Sequence, residues 1–144
     1  MQLRLKTLKL DKTRRMKTAR TYTKSRIYHQ NAYDFVFAAL RHAQEKLGRD
    51  RTDHTTGHVC GRELLEGIAE LAKDHFGLLA ITVLADWGVH GTEDIGKMVF
   101  ELIESGEMRK TEDDHLEDFV DVYDFHKVFV DDYQVDTTTA FSRN

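Results

Sequence analysis

The distribution of charge divides this chain into two parts, and only the second can build a hydrophobic core. Residues 1–27 contain ten lysines and arginines against one acid, Asp11, which is a net charge of +9. The remainder carries 24 acids and 11 basic residues, a net charge of −13. Residues 12–26 have too few apolar side chains to pack together. We therefore expect an extended basic arm (residues 1–27) in front of a compact acidic domain (residues 28–130).

Apolar side chains recur at helical spacing in four segments of the domain. These segments are residues 31–47, 61–76, 78–87 and 92–105. Each is followed by a glycine, and because the chain has no proline, glycine is expected to end the helices. Asn31 and Thr92 are predicted N-caps. Residues 78–87 are apolar almost all round and are predicted to be the buried centre.

The pattern changes after Gly106. Met108–Lys110 and residues 119–125 favour two short strands of a hairpin, and a helix over residues 116–130 is the alternative. Residues 131–144 are predicted to be a polar tail. At the other end, the alternation of Leu3 and Leu5 with basic residues is compatible with a short strand.

The predicted fold is therefore mainly α, with about four helices and a C-terminal β-hairpin, in the order of a winged helix–turn–helix. Residues 92–105 would be the recognition helix. That segment has four acids against Lys97 alone, so a phosphate backbone would repel it. Any contact with nucleic acid is expected on the basic arm instead.

The basic arm has the composition of a polyanion-binding segment, although a solvated tail is the default interpretation of a charge run. Hydroxyl side chains lie between its cations, which suits phosphate contacts, and tyrosine can stack on bases. The candidate nucleic-acid-binding residues are Lys12, Arg14, Arg15, Lys17, Arg20, Tyr22, Lys24 and Arg26. We predict a non-enzymatic binding module whose arm contacts RNA in a ribonucleoprotein such as the ribosome.

The acidic stretch Glu112–Asp124 suggests a second partner. Its carboxylates are Glu112, Asp113, Asp114, Glu117, Asp118, Asp121 and Asp124. They lack the ligand order and central glycine of an EF-hand, so a solvated or docking face is favoured. The alternative function is accordingly a protein–protein assembly subunit whose basic arm docks on the acidic faces of its neighbours.

A third interpretation is a metal-dependent enzyme at His54, His58 and Cys60, with Asp53 nearby. Thiolate, imidazole and carboxylate groups are zinc ligands, but the second ligand pair of a structural zinc site is missing. The sequence favours His58 as a hydrogen-bonding residue at a helix start and Cys60 as a small buried side chain. No cofactor is predicted, and no phosphate-binding loop or hydrolase motif occurs.

The sequence has no apolar run approaching the roughly 20 residues that span a bilayer, and no apolar region follows the N-terminal basic residues as in a signal peptide. A single cysteine, Cys60, fits a reducing compartment. We therefore expect a cytoplasmic protein that is not bound to a membrane.

Five segments carry a resemblance to a known family. They are AYDFV (32–36), HVCGRELLEG (58–67), VLADWGV (83–89), TEDIGKMVFELIE (92–104) and KTEDDHLEDFVDVYDF (110–125). Over about residues 28–129 the chain resembles an uncharacterised family of small proteins found in planctomycete and verrucomicrobial genomes. The family has no established reaction or ligand, so the resemblance implies no catalytic residues. It does not extend to the basic arm.

Overall fold

The computed structural model describes residues 3–5, 26–49 and 57–134. Its main elements are β1 (Leu3–Leu5), α1 (Gln30–Lys46), α2 (Gly61–Phe76), α3 (Ala80–Asp86), α4 (Thr92–Glu104) and β2 (Met108–Lys110). Short 3-10 turns lie at Gly77–Leu79 and Leu116–Phe119, and a π-helical turn lies at Lys127–Asp131. The predicted mainly helical fold is confirmed, and the helix bounds agree within two residues. In this described part, no helix is long and apolar enough to cross a membrane.

Helices α1 and α2 pack closely along their lengths and supply much of the core. The closest approach is at Gly67, where an added Cβ would lie 3.1 Å from the Ala39 carbonyl oxygen and 3.2 Å from Ala43 Cβ. The fully buried side chains on these two helices include Tyr33, Leu40, Leu64, Leu65 and Ile68. The small residues at the crossing therefore allow large side chains on either side of it to interlock.

The prediction that residues 78–87 form the buried centre is wrong. Leu78 and Leu79 lie in the 3-10 turn before α3 and are 55% and 64% exposed. Helix α3 has seven residues, of which only Ala80 and Leu84 are buried. Such a short helix packs by one face, so its mostly apolar sequence does not place it inside.

Two predicted helix caps are also wrong. The N-cap of α1 is His29, whose Nδ1 accepts the Asn31 backbone N–H at 3.1 Å. The N-cap of α4 is Gly91, which has no side chain to cap with. Thr92 is buried instead, and its hydroxyl donates to the Phe119 carbonyl oxygen at 2.6 Å. Thr92 therefore links α4 to residues 119–122 and does not cap the helix.

The C-terminal hairpin is not formed. Met108–Lys110 is a strand as predicted, but β2 pairs antiparallel with β1 rather than with residues 119–125. Those residues lie in a 3-10 turn and an irregular segment, in which Asp121 has φ of +47°. The alternative, one continuous helix over residues 116–130, is not formed either. Leu3–Leu5 forms β1, which agrees with the alternation of leucines and basic residues there.

Three phenylalanines explain the irregular path of this region. Phe119, Phe125 and Phe129 are all buried, and the Phe125 and Phe129 rings meet edge to face at a centroid distance of 5.3 Å. Their even spacing would put all three on one face of a strand, but the backbone here is a 3-10 turn, an irregular segment and a π-helical turn. Each ring is therefore placed by the core around it. Tyr133, at the start of the predicted tail, lies against Gly77, and residues 135–144 are outside the described residues.

Candidate functional site

One of the eight predicted nucleic-acid-binding residues, Arg26, lies in the described part of the chain. Lys12, Arg14, Arg15, Lys17, Arg20, Tyr22 and Lys24 lie outside the described residues. Arg26 is the one member of the set that is described, and the structure places it where the basic arm joins the domain. The contacts of Arg26 therefore show how the end of the arm is attached to the domain.

Arg26 is held by the domain on three sides. Its Nη2 lies 3.3 Å from Glu107 Oε2, and its Nη1 donates to Gln30 Oε1 at 2.6 Å. The guanidinium carbon also lies 4.6 Å from the centroid of the Tyr33 ring, a distance at which cation and ring attract each other. Arg26 thus anchors the arm to the domain in this structure.

Two tyrosines extend this anchor onto helix α4. The Tyr28 hydroxyl donates to Asp94 Oδ1 at 2.7 Å, and the Tyr33 hydroxyl donates to Glu101 Oε2. Burial, followed by these hydrogen bonds to carboxylates, raises the pKa of both tyrosines. Asp94, Glu101 and Glu107 are therefore bound by Tyr28, Tyr33 and Arg26, respectively, of which only Arg26 belongs to the arm.

Leu5 and Arg26, the described residues on either side of residues 6–25, both lie beside β2. Leu5 stands opposite Met108 in the β1–β2 register, and Arg26 pairs with Glu107, the residue before β2. The arm is thus tied to the domain at both ends by contacts within residues 107–110. This arrangement could not be predicted from the sequence, because the partners are 81 to 103 positions apart.

Strand β2 adds exposed cations that the sequence analysis missed. Arg109 and Lys110 are exposed, and Lys110 Nζ lies 5.5 Å from the centroid of the Phe100 ring. Neither forms an ion pair with a carboxylate of the described residues. Two of the three residues of this predicted strand are basic, which the sequence alone shows. That the strand lies beside the arm is visible only in the tertiary structure.

Two of the four metal candidates, His58 and Cys60, lie in the described part of the chain. Asp53 and His54 lie outside the described residues. Within the described ranges, no group of three or more His, Cys, Asp or Glu residues could hold a metal ion. Cys60 is instead the N-cap of α2: its Sγ accepts the Glu63 N–H at 3.5 Å, and Glu63 accepts the Cys60 N–H at 2.8 Å. Cys60 rather than His58 is thus the N-cap of α2, and Cys60 is half-buried rather than buried.

Arg49 completes the start of α2. It makes two hydrogen bonds to the Glu63 carboxylate, at 2.6 and 2.8 Å, and a third to the His58 carbonyl oxygen. The Arg49 guanidinium, more than any other group, lowers the pKa of Glu63 to about 2. Burial raises the pKa of the Cys60 thiol, which disfavours the thiolate that metal binding or nucleophilic attack requires.

The acidic face Glu112–Asp124 is partly structural. Asp114 is buried, its Oδ2 accepts the Thr111 N–H at 2.7 Å, and burial raises its pKa. Asp118 accepts the His115 N–H at 3.1 Å, and Asp124 accepts the Lys127 N–H at 2.8 Å. These carboxylates hold local turns together.

The other acids of this face remain available to a partner. An open cleft of about 440 Å³ lies between the start of α4 and residues 121–125. Its acidic lining consists of Glu93, Asp94, Asp121 and Asp124. Glu112, Asp113, Glu117 and Asp121 are exposed and form no ion pair with a described cation. This surface would attract cationic groups.

Comparison of the chain with protein-family profiles, with curated proteins and with solved structures gave no match in any of the three.

Proposed function

We propose that this protein is a non-enzymatic RNA-binding module whose basic arm neutralises phosphates in a ribonucleoprotein assembly such as the ribosome. The observation that carries the proposal is the joining of a +9 segment at both of its ends to one place on an acidic domain. Tying both ends reduces the conformational freedom that a free tail would lose on binding. The acidic domain would repel phosphate elsewhere and so restrict contact to the arm.

The expected binding has little sequence specificity. Arg14, Arg15, Lys17 and Arg20 would contact the RNA backbone, and Tyr22 would stack on an exposed base. Arg26 belongs to the predicted contact set, but its contacts with Glu107 and Tyr33 support a role in positioning the arm. The arm would therefore recognise the charge and shape of a structured RNA.

A charge-matched pair of variants tests this proposal. Replacing Arg14, Arg15, Lys17 and Arg20 by Gln removes four charges from the arm. Replacing Arg41, Arg62, Lys73 and Lys127 by Gln removes four from the domain. Fluorescence anisotropy with a labelled RNA hairpin should show loss of affinity in the first variant only. Equal effects of the two variants would overturn the proposal, because net charge alone would then explain binding.

The winged-helix interpretation gives a different surface for nucleic acid. Helices α3 and α4 with the turn between them follow the order of a helix–turn–helix motif. Asp94 and Glu101 of α4 are engaged by Tyr28 and Tyr33, which supports a structural role for this helix. Duplex DNA binding that is lost on Lys97→Gln but retained in the arm variant would favour the winged-helix interpretation.

Protein–protein assembly is the second candidate function. The exposed acids around the cleft, including Glu117 and Asp121, would accept the basic arm of a neighbouring copy or a basic partner. In that case the purified, nuclease-treated protein would form oligomers that dissociate as salt is raised. A monomer at every protein concentration and salt would contradict docking between copies.

We also propose kinship with the planctomycete and verrucomicrobial family named above. Support comes from the resembling segments, which contain tightly packed contacts of the fold. One is the reciprocal Cys60–Glu63 cap, and another is the contact of Gly96 with Phe119. A structure of a family member tests this directly, and a different order of helices there would contradict it.

A further inference from the structure

Helix α3 and the turn before it leave an apolar surface uncovered. Leu78 and Leu79 are more than half exposed. Only Ala80 and Leu84 of α3 are buried, and Thr82, on the opposite side of the helix, is exposed. Single exposed leucines are ordinary, but two adjacent ones that continue onto a largely apolar helix are typical of an interaction site.

The π-helical turn Lys127–Asp131 extends this surface. The turn packs against both Gly77–Leu79 and α3, and Val130 within it is 37% exposed. Val130 therefore lies near the two leucines. We refer to the surface formed by Leu78, Leu79, Thr82 and Val130 as the α3 face.

The charges around the α3 face are mostly negative. Asp86 is on the same side of α3 as Leu79, two turns further on. Asp131 lies 3.5 Å from His126 Nδ1, and the other three aspartates form no ion pair with a cation of the described residues. The nearby lysines are Lys73, which is half-buried, and Lys127. The exposed aspartates before, on and after the face are Asp74, Asp86, Asp131 and Asp132.

We propose that the α3 face binds a basic amphipathic helix of a partner protein. Apolar side chains of that helix would cover Leu78 and Leu79, and lysines or arginines along its edges would pair with the surrounding aspartates. A second copy of this chain is a poorer fit, because it would bring the same aspartates and another acidic domain against the first. The inference goes beyond RNA binding by the arm and depends on none of the arm's residues.

Trp87 provides a signal for binding at this face. It is the only tryptophan of the chain, and it lies half-buried at the end of α3. Its ring meets the Phe76 ring edge to face at a centroid distance of 5.6 Å, and Phe76 directly precedes the turn that contains the leucines. A helix packed along α3 would make the surroundings of the indole less polar and shift its emission to shorter wavelength.

The test uses the full-length protein and a synthetic helical peptide without tryptophan. The peptide has leucines at positions i, i+3, i+4 and i+7 and lysines on its other side, and a second peptide has glutamate at each lysine position. Titration followed by Trp87 emission should saturate at one peptide per protein with the lysine peptide only. Equal affinity for the two peptides would overturn the proposal, as would the absence of saturable binding to either.

Two double variants locate the apolar centre of the site. Leu78→Ser combined with Leu79→Ser should weaken binding of the lysine peptide by about tenfold or more, since burial of one leucine contributes that much. Leu47→Ser combined with Leu116→Ser is the matched control, because these leucines are 42% and 41% exposed elsewhere. Circular dichroism verifies that both variants are folded. Equal losses of affinity in the two would overturn the proposal.

A second pair of variants tests the charges. Replacing Asp86, Asp131 and Asp132 by Asn should weaken binding and reduce its dependence on salt. The charge-matched control is Glu112→Gln, Asp113→Asn and Glu117→Gln, which neutralises three exposed acids elsewhere. Equal effects of the two would overturn the proposal, because net charge alone would then attract the peptide.

Analytical ultracentrifugation of the protein without peptide tests the second copy as occupant. The wild type is expected to show no self-association through this face. Self-association that is lost in the variant with serine at positions 78 and 79 would assign the α3 face to a second copy and overturn the proposal.

Discussion

Phe119 occupies the space that a β-carbon on Gly96 would need. A Cβ at position 96 would lie 2.6 Å from Phe119 Cβ and 2.8 Å from Phe119 Cγ. The Thr92 hydroxyl, one turn earlier on α4, donates to the Phe119 carbonyl oxygen and accepts the Val122 N–H at 3.2 Å. Residues 116–122 are thus joined to α4 by one close contact and two hydrogen bonds.

Gly96→Ala is expected to destabilise the protein by about 1–3 kcal/mol, because Phe119 or the helix must move to admit the methyl group. Urea unfolding monitored by circular dichroism measures this. Gly91→Ala is the control, since nothing lies within 4 Å of a Cβ there and its φ of −167° is ordinary extended backbone. Wild-type stability in Gly96→Ala would show that the contact is not as tight as described.

Thr92→Val is expected to cost about 1–3 kcal/mol, because the side chain keeps its shape but leaves the buried Phe119 carbonyl without its donor. Thermal and urea unfolding both report the change. Thr82→Val, at an exposed position of α3, is the matched control and should be close to neutral. Equal effects of the two substitutions would argue against a special role for the buried hydroxyl.

The junction of the basic arm depends on tyrosine hydroxyls. Tyr28→Phe keeps the ring but removes the hydrogen bond to Asp94, at a cost of about 1 kcal/mol. Faster hydrogen exchange is expected at His29, whose N–H donates to the Trp87 carbonyl oxygen at 3.1 Å. Tyr133→Phe is the comparison, because Tyr133 makes no hydrogen bond to a described residue. Unchanged exchange at His29 in Tyr28→Phe would contradict the anchoring role.

The Arg49–Glu63 pair predicts a specific acid sensitivity. The folded-state pKa of Glu63 is about 2, below its ordinary value near 4.5, so the pair contributes stability that is present above about pH 4.5. That contribution is lost as the pH falls towards 2 and Glu63 becomes protonated. Glu63→Gln should therefore lose less stability than the wild type between these values. Arg49→Gln should flatten the same part of the curve, and a parallel decline in all three proteins would exclude the pair as its cause.

RNA binding through the arm should depend strongly on salt. Six phosphate contacts by the undescribed cations of the arm give a slope of log affinity against log salt of about −4 on a single strand and about −5 on a duplex. Anisotropy titrations at several salt concentrations measure the slope. The variant with Gln at positions 14, 15, 17 and 20 should flatten it by roughly 3. An unchanged slope would mean that other groups neutralise the phosphates.

The helices could be predicted from the sequence because their signals are local. Periodic apolar residues give each helix its inner face, and Gly88 and Gly106 end α3 and α4 with φ of +89° and +78°. Glycine adopts these values without a steric penalty. The division of charge between the arm and the domain is likewise a property of composition.

The wrong predictions for residues 78–87 and 119–125 have a common cause. Whether a side chain is buried depends on which other elements of the fold pack over it. Leu78 and Leu79 are exposed because no described element covers them, although their segment is the most apolar in the chain. Phe119 and Phe125 suggested a strand, yet each ring fills its own position in the core. The periodicity of a sequence does not predict the burial of side chains that lie outside a regular helix or strand.

The candidate site shows the same division. By itself, the sequence determined the four helices, the acidic domain and the basic segment in front of it, since each follows from neighbouring residues. The tertiary structure alone decided that β2 pairs with β1, that Arg26 meets Glu107 and that Arg109 faces Arg4. Those contacts join residues about 80 to 105 positions apart. Their formation depends on how the core brings the two chain segments together, which no local pattern encodes.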